Sequence, residues 1–192
     1  MKKKILKEIS KKSYTEIHLQ LVPEPDETPE TFTEKIAHHL HQYKAEIIRA
    51  TFFGTRKERE NTLEPLDNQI SGIDFPVTWI EGDNCGNAFI NGVYILAVSG
   101  IEVERLYHNG SPVGSAFQTD DASFCYLGGL YSDPDLSPTQ QTENILNTTE
   151  SLLNQTGLSF EDTIRTWFYL DNILDWYGDF NRVRTAFFQK HD

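Results

Sequence analysis

The sequence predicts an α/β (α+β) protein built around a mixed β-sheet. Three stretches carry that expectation: 14–54 reads as strand, helix, strand; 77–127 holds five extended segments; 159–188 reads as an alternating strand followed by an aromatic amphipathic helix. Residues 14–22 alternate in polarity with period two, as a half-buried strand does. Thr28-Pro29 marks a helix start, with the threonine as cap and the proline in the first turn. Phe32, Ile36, Leu40 and Tyr43 then recur at helical spacing. A second strand over 45–53 ends at Gly54, and the crossover is long enough for the two strands to run parallel.

Residues 1–12 are lysine-rich and are expected to be a frayed or helical leader. Residues 55–75 are polar and punctuated by Pro65 and Gly72. They are expected to form a loop with at most a short helical turn, and loops this long are commonly covers or mobile segments. From Val77 the pattern is antiparallel, with extended segments at 77–81, 88–99, 102–108, 112–118 and 123–127. Asn109-Gly110 is a strong type I′ hairpin signal. Asn91-Gly92 is either a turn or a bulge within one strand.

Ser137-Pro138-Thr139-Gln140 supplies a cap, a first-turn proline and a capping-box glutamine. Ile145, Leu146, Thr149, Leu152, Leu153 and Thr156 carry the apolar stripe of that helix, and Gly157 suits its left-handed end. Over 163–170, Ile164, Thr166, Phe168 and Leu170 point one way and Thr163, Arg165, Trp167 and Tyr169 the other. Asp171 or Asn172 can cap the following helix, and Asp175 complements its dipole. Ile173, Trp176, Tyr177, Phe180, Val183, Arg184, Phe187 and Phe188 form a broad face on it. The organisation expected is a leader at 1–12, a β-α-β unit with antiparallel strands over 13–122, and a β-α-β-α segment over 123–192, read as one continuous domain.

Seventeen basic side chains face twenty-nine acidic ones, for a net charge of −12. That argues against non-specific nucleic-acid or anionic-membrane binding, since both need a basic surface. A few local arginines can still hold a small anion against the global field. No apolar run approaches a membrane span or a signal-peptide core, so a cytoplasmic protein is expected. Cys85 and Cys125 make no disulfide framework, and Cys125 is expected as a buried thiol. His38 and His41 share a helix face but lack a third ligand, so no metal site is expected. No phosphate loop, CxxC pair, nucleophile elbow or dinucleotide fingerprint appears, and no cofactor is expected.

Arg165 between two aromatic residues draws attention, because a buried guanidinium needs an anion or several acceptors. A ligand wall and a structural ion pair are both open for it. Arg165, Arg184 and Asn181 can supply anchors for a carboxylate, with Trp167, Tyr169 and Tyr126 as the apolar wall. Glu161 or Asp162 could act as an acid. The catalytic residues themselves are not identified by the sequence.

Leu127-Gly128-Gly129, Gln141-Thr142-Glu143 opening a helix, the run from Gly157 to Asp162, the alternating strand, Asp179-Phe180-Asn181 and Phe187-Phe188 together resemble the core of the Rid (YjgF-type) family. The stretch Pro76 to Gly82, the segments 92–100 and 126–130, the run Arg165-Thr166-Trp167-Phe168-Tyr169-Leu170, and Asp175-Trp176-Tyr177 resemble the amino-terminal half of the chorismatases. The resemblance implies a chorismate-mutase-like (YjgF-type) mixed sheet with helices packed on one face. It implies a small carboxylate metabolite such as chorismate as ligand, with Gly129 and Asn181 at family positions. The strand that bears the Rid carboxylate-binding arginine would fall beyond Asp192, and Gly128-Gly129 stands where that family has Ser-Gly. The resemblance therefore implies a homo-oligomer of trimer type, or a second chain that completes the site. The activities it implies are imine or enamine deamination and chorismate processing; a ligand sensor without catalysis is the other reading.

Overall fold

In the computed structural model, the structure describes residues 4–83 and 87–191. Cys85 lies outside the described residues. Two compact units are present, Met1–Gly129 and Leu130–Asp192.

The first unit contains β1 (Lys4–Ser10), β2 (Thr15–Leu21), α1 (Pro29–Tyr43), β3 (Glu46–Gly54), α2 (Glu58–Ile70), β4 (Val77–Glu81), β5 (Gly92–Ser99), β6 (Glu104–His108), β7 (Ser111–Gln118) and β8 (Ser123–Leu127). Five strands form one sheet in the order β1-β2-β5-β3-β4, and three form another in the order β6-β7-β8. The larger sheet is mixed: β4 runs parallel to β3, while β5 is antiparallel to both β2 and β3. The strands β2 and β3 do run in the same direction, but β5 is inserted between them.

Strand alternation sorts the side chains of this sheet into two cores. Ile17, Leu19, Val93, Ile95, Ala50 and Phe52 pack with Phe32, Ile36 and Leu40 of α1 and Leu66 of α2. Ile48, Leu96 and Val98 point to the opposite face and pack with Tyr14 and Phe117, with Phe124 and Tyr126 alongside. The unit is thus layered, with helices on one face of the large sheet and the small sheet on the other. Helix α1 starts where the sequence predicts, with Thr28 accepting a hydrogen bond from the Thr31 N–H. Asn109 and Gly110 both take positive φ, 49° and 78°, as a type I′ turn requires.

Several expectations need correction. The 1–12 leader is neither frayed nor helical, because residues 4–10 pair along their whole length with β2. The 55–75 loop contains a 13-residue helix with Pro65 inside it. Its apolar pattern is faint, and what holds it is burial of two residues four apart, Thr62 and Leu66. Cys125 is half-buried, not buried.

The second unit holds α3 (Pro138–Gln155), a 3₁₀ turn (Phe160–Asp162) and α4 (Ile173–Phe188). Ser137 and Gln140 form the predicted capping box. The two helices pack together, and Phe160 meets Phe187 and Phe188 edge to face at 4.9 and 5.2 Å. Only Phe180, Val183 and Phe187 of the broad α4 face are buried. Tyr177 is exposed, and a break at Trp176 turns the first residues of the helix away from the rest. Asn172 occupies the N-cap in a left-handed conformation but makes no side-chain cap bond. The alternating segment 163–170 joins no sheet among the described residues. Alternation sets which way side chains point, but a strand forms only against a neighbour that takes up its backbone groups.

Candidate functional site

The site begins with a fault in the β3–β5 ladder. Ile47 pairs with Ala97 and Arg49 with Leu96, so Ile48 is an extra residue. Such a bulge re-aims side chains. Ile47 stays on the helix side, while Ile48 enters the core on the opposite face and Arg49, opposite Leu96, follows it there. Arg105 of β6 secures the fault. Its Nη1 donates to the Ile47 carbonyl at 2.7 Å and to the Ser115 hydroxyl at 2.8 Å. Its Nε donates to Asp74 at 3.3 Å, and Glu46 lies 3.7 Å from Nη2.

The Arg49 guanidinium sits 5.8 Å from the centre of the Tyr94 ring and 6.0 Å from that of Tyr126. Both distances suit cation–π attraction. Among the described residues no carboxylate forms an ion pair with Arg49, and its buried Nε makes no hydrogen bond. A buried donor left unpaired costs about 1–3 kcal/mol, so this is an unusual position for a purely structural arginine.

Beside Arg49 runs a chain of polar groups. The Tyr94 hydroxyl lies 2.7 Å from His18 Nδ1, and His18 Nε2 lies 3.4 Å from a Glu16 carboxylate oxygen. Tyr14 donates to the other Glu16 oxygen at 3.2 Å. With a neutral imidazole, the consistent arrangement has Tyr94 donating to Nδ1 and the Nε2 proton facing Glu16. Burial, aided by the Glu16 charge, pushes the Tyr14 phenol up to about 12. Burial also raises Tyr94, with Glu16 adding to the rise and Arg49 opposing it. Tyr126 is raised by burial and by Glu16, again against Arg49. All three phenols therefore keep their protons at neutral pH and can donate hydrogen bonds. The arrangement offers one fixed cation, two phenol rims, and an imidazole set between a phenol and a carboxylate. It can hold a carboxylate and move a proton.

Of the residues singled out in the sequence, Tyr126 belongs to this cluster. Gly129 does a different job. It has φ +63°, its N–H donates to Thr78 Oγ1 at 3.0 Å, and a Cβ there would meet the Val77 carbonyl oxygen at 2.5 Å. It lets the chain after β8 run close against β4. The other five lie in the second unit. Arg165 is exposed and stacks 5.7 Å from the Trp167 ring centre. Trp167 and Tyr169 are 63% and 54% exposed. Asn181 donates to the Tyr177 carbonyl at 2.9 Å, and Arg184 lies over the Phe180 ring at 5.5 Å. Asp162 is tied back to the Ser159 N–H and hydroxyl, whose bonds hold its carboxyl below the usual range. Its acid role therefore gives way to a capping one. A cleft of about 620 Å³ between α1 and α2 is lined by Glu30, Glu58 and Glu64, the wrong charge for an anion. Another of about 300 Å³ lies between α3 and α4. No cluster of three metal-ligating side chains occurs among the described residues.

Sequence reasoning passed over Arg49, Tyr94, His18 and Glu16. The signal was present: Ile-Ile-Arg-Ala-Thr-Phe-Phe sets one charge inside an apolar strand, in the same pattern that drew attention to Ile164-Arg165-Thr166-Trp167-Phe168.

No family profile matches the chain, and no curated protein matches it in sequence. The fold has a solved counterpart. A crystal structure of chorismatase at 1.08 Å resolution superposes with a TM-score of 0.59 at 10% identity, over 94% of this chain and 68% of that one. At that identity the likeness is one of fold: the chain has a mixed α/β architecture similar to that of a chorismatase.

Proposed function

We propose that this protein binds a small carboxylate metabolite, of which chorismate is the leading candidate, at Arg49 between Tyr94 and Tyr126. The observation that carries the reading is the Arg49 guanidinium, which among the described residues has a buried Nε without a hydrogen-bond partner, no carboxylate partner, a hydrogen bond only with the Tyr94 phenol, and aromatic walls on two sides. A ligand carboxylate would supply the missing acceptor, and charge-assisted bonds of this kind are the strong ones. The chorismatase-like fold favours this ligand class. The Rid likeness adds imine and enamine acids, which carry the same carboxylate.

The His18–Tyr94 pair favours chemistry over simple sensing. With both ring nitrogens protonated, the imidazole donates from Nδ1 to the Tyr94 oxygen, which leaves the phenol proton free for a leaving oxygen or nitrogen; the Nδ1 proton then passes to the phenolate. We propose further that the protein acts in an assembly with more polypeptide, a second copy or a second chain. Calorimetric titration with chorismate tests the ligand reading. The native protein should bind and Arg49→Met should bind about 10–100-fold more weakly, the loss of one or two charged hydrogen bonds. Equal affinity for the two proteins would defeat it.

A further inference from the structure

The side chains around Arg49 balance in charge. Arg49 supplies one cation and Glu16 one carboxylate. Glu16 stands opposite Val98 and His18 opposite Leu96, on the face of the large sheet that Val98 and Leu96 share with Phe117. The two charges are joined through side chains. Arg49 bonds to the Tyr94 phenol, whose oxygen lies 2.7 Å from His18 Nδ1, and His18 Nε2 lies 3.4 Å from Glu16. The side chains of His18 and Glu16 are only 28% and 18% exposed. Lys7 stands opposite His18 on β1, and Lys11 lies 4.0 Å from Glu16; both lysines are exposed. Tyr14 and Tyr126 are the remaining titratable neighbours.

A carboxylate bound at Arg49 upsets this balance. The cluster then holds two negative charges against one positive, and an unbalanced charge away from water is costly. The exposed lysines are screened by solvent and offset little of it. The three phenols cannot restore neutrality, because losing a proton adds negative charge, and burial with the Glu16 charge holds those protons in place. Among the described residues of the cluster, the His18 imidazole is the group that can gain a positive charge.

We propose that the site takes up its ligand carboxylate together with a proton, which His18 holds between Glu16 and Tyr94. With a neutral imidazole, Nδ1 accepts the Tyr94 proton. The incoming proton comes from solvent and forms a new N–H bond at Nδ1. The Tyr94 hydroxyl then turns, so that its oxygen accepts from Nδ1 and its own proton faces the ligand. No other bond forms or breaks. Glu16 is the positioning residue, because it faces Nε2 in both states of the ring, and Tyr14 holds it by donating at 3.2 Å. Binding and protonation are reciprocal: a ligand carboxylate favours the charged ring, and the charged ring favours the ligand. Affinity therefore falls as the pH rises. This coupling rests on the carboxylate reading of Arg49 and adds what enters with the carboxylate: the ligand itself loads the acid.

Nitrogen magnetic resonance of the His18 ring separates charged from neutral imidazole and tests the coupling first without ligand. Removing the Arg49 cation mimics its neutralisation by a carboxylate. At pH 7 the ratio of charged to neutral ring should rise about fivefold or more in Arg49→Met and Arg49→Gln, and fall by a similar factor in Glu16→Gln. The same ratio in the native protein and both Arg49 variants overturns the proposal. Calorimetric titration of the native protein with chorismate, in phosphate and in Tris at one pH, then counts protons, because the two buffers differ in heat of ionisation. Uptake of about half a proton or more is expected, and its loss in His18→Gln. Binding without proton uptake overturns the proposal. If chorismate does not bind while the ring still responds to the Arg49 variants, the ligand reading fails and the coupling stands.

Discussion

Replacing Arg105 by methionine should cost the first unit about 3–4 kcal/mol. The substitution keeps an unbranched apolar stem and removes the guanidinium. The Arg105 side chain is only 12% exposed, so water does not readily replace what is lost. Two groups lose their donor: the Ile47 carbonyl and the Ser115 hydroxyl, the latter on a residue that is 0% exposed. Each buried acceptor left unpaired costs about 1–3 kcal/mol. The partners Asp74 and Glu46 have side chains 57% and 52% exposed, so their ion pairs add only about 0–1 kcal/mol. Urea unfolding followed through Trp79, which stacks on Phe52 at 5.6 Å, reports the first unit. The midpoint should fall with the slope unchanged. Combining Arg105→Met with Ser115→Ala should recover part of the loss, because the second change removes one of the orphaned groups. A loss under about 1 kcal/mol would refute the reasoning and show that the bulge holds itself without this pin.

Gly129→Ala should destabilise the first unit by about 2 kcal/mol or more. The left-handed backbone alone costs a residue with a Cβ about 1–2 kcal/mol, and the Cβ would sit 2.5 Å from the Val77 oxygen; a denaturation midpoint matching that of the native protein would contradict this. Tyr14 supplies a pH test. Its phenol moves from 10.0 to about 12 on folding, so the unfolded chain releases this proton first. Stability from this residue is intact below pH 10 and is lost as the pH climbs towards 12. Denaturation at pH 9 and pH 11 should show a drop that Tyr14→Phe reduces; an equal drop in both proteins would contradict the assignment.

Local chemistry was legible wherever a backbone conformation demanded particular residues. The Asn109-Gly110 turn, the Thr28 cap and the Ser137–Gln140 capping box all act within a few residues of themselves. Helix α2 was hidden because a proline and a polar composition mask an element that two buried side chains and its neighbours hold in place. The candidate site was harder still. Arg49 reaches its face through one extra residue in a ladder, and a bulge is a relation between two strands, invisible in either alone. Tyr94, His18 and Glu16 come from strands that only the sheet order brings together. Arg165 attracted notice through an Ile-Arg-x-x-Phe signal that also occurs at 48–52; Ile48 is buried and Ile164 is exposed.

The most direct measurement compares the two arginine clusters in one experiment. Nuclear magnetic resonance spectra of the labelled protein, recorded as chorismate is added, locate the ligand residue by residue. The account predicts saturable shifts at Glu16, His18, Arg49, Tyr94 and Tyr126, with the His18 imidazole among the largest. Shifts confined to Arg165, Trp167, Asn181 and Arg184, or no shift at any concentration, would contradict it.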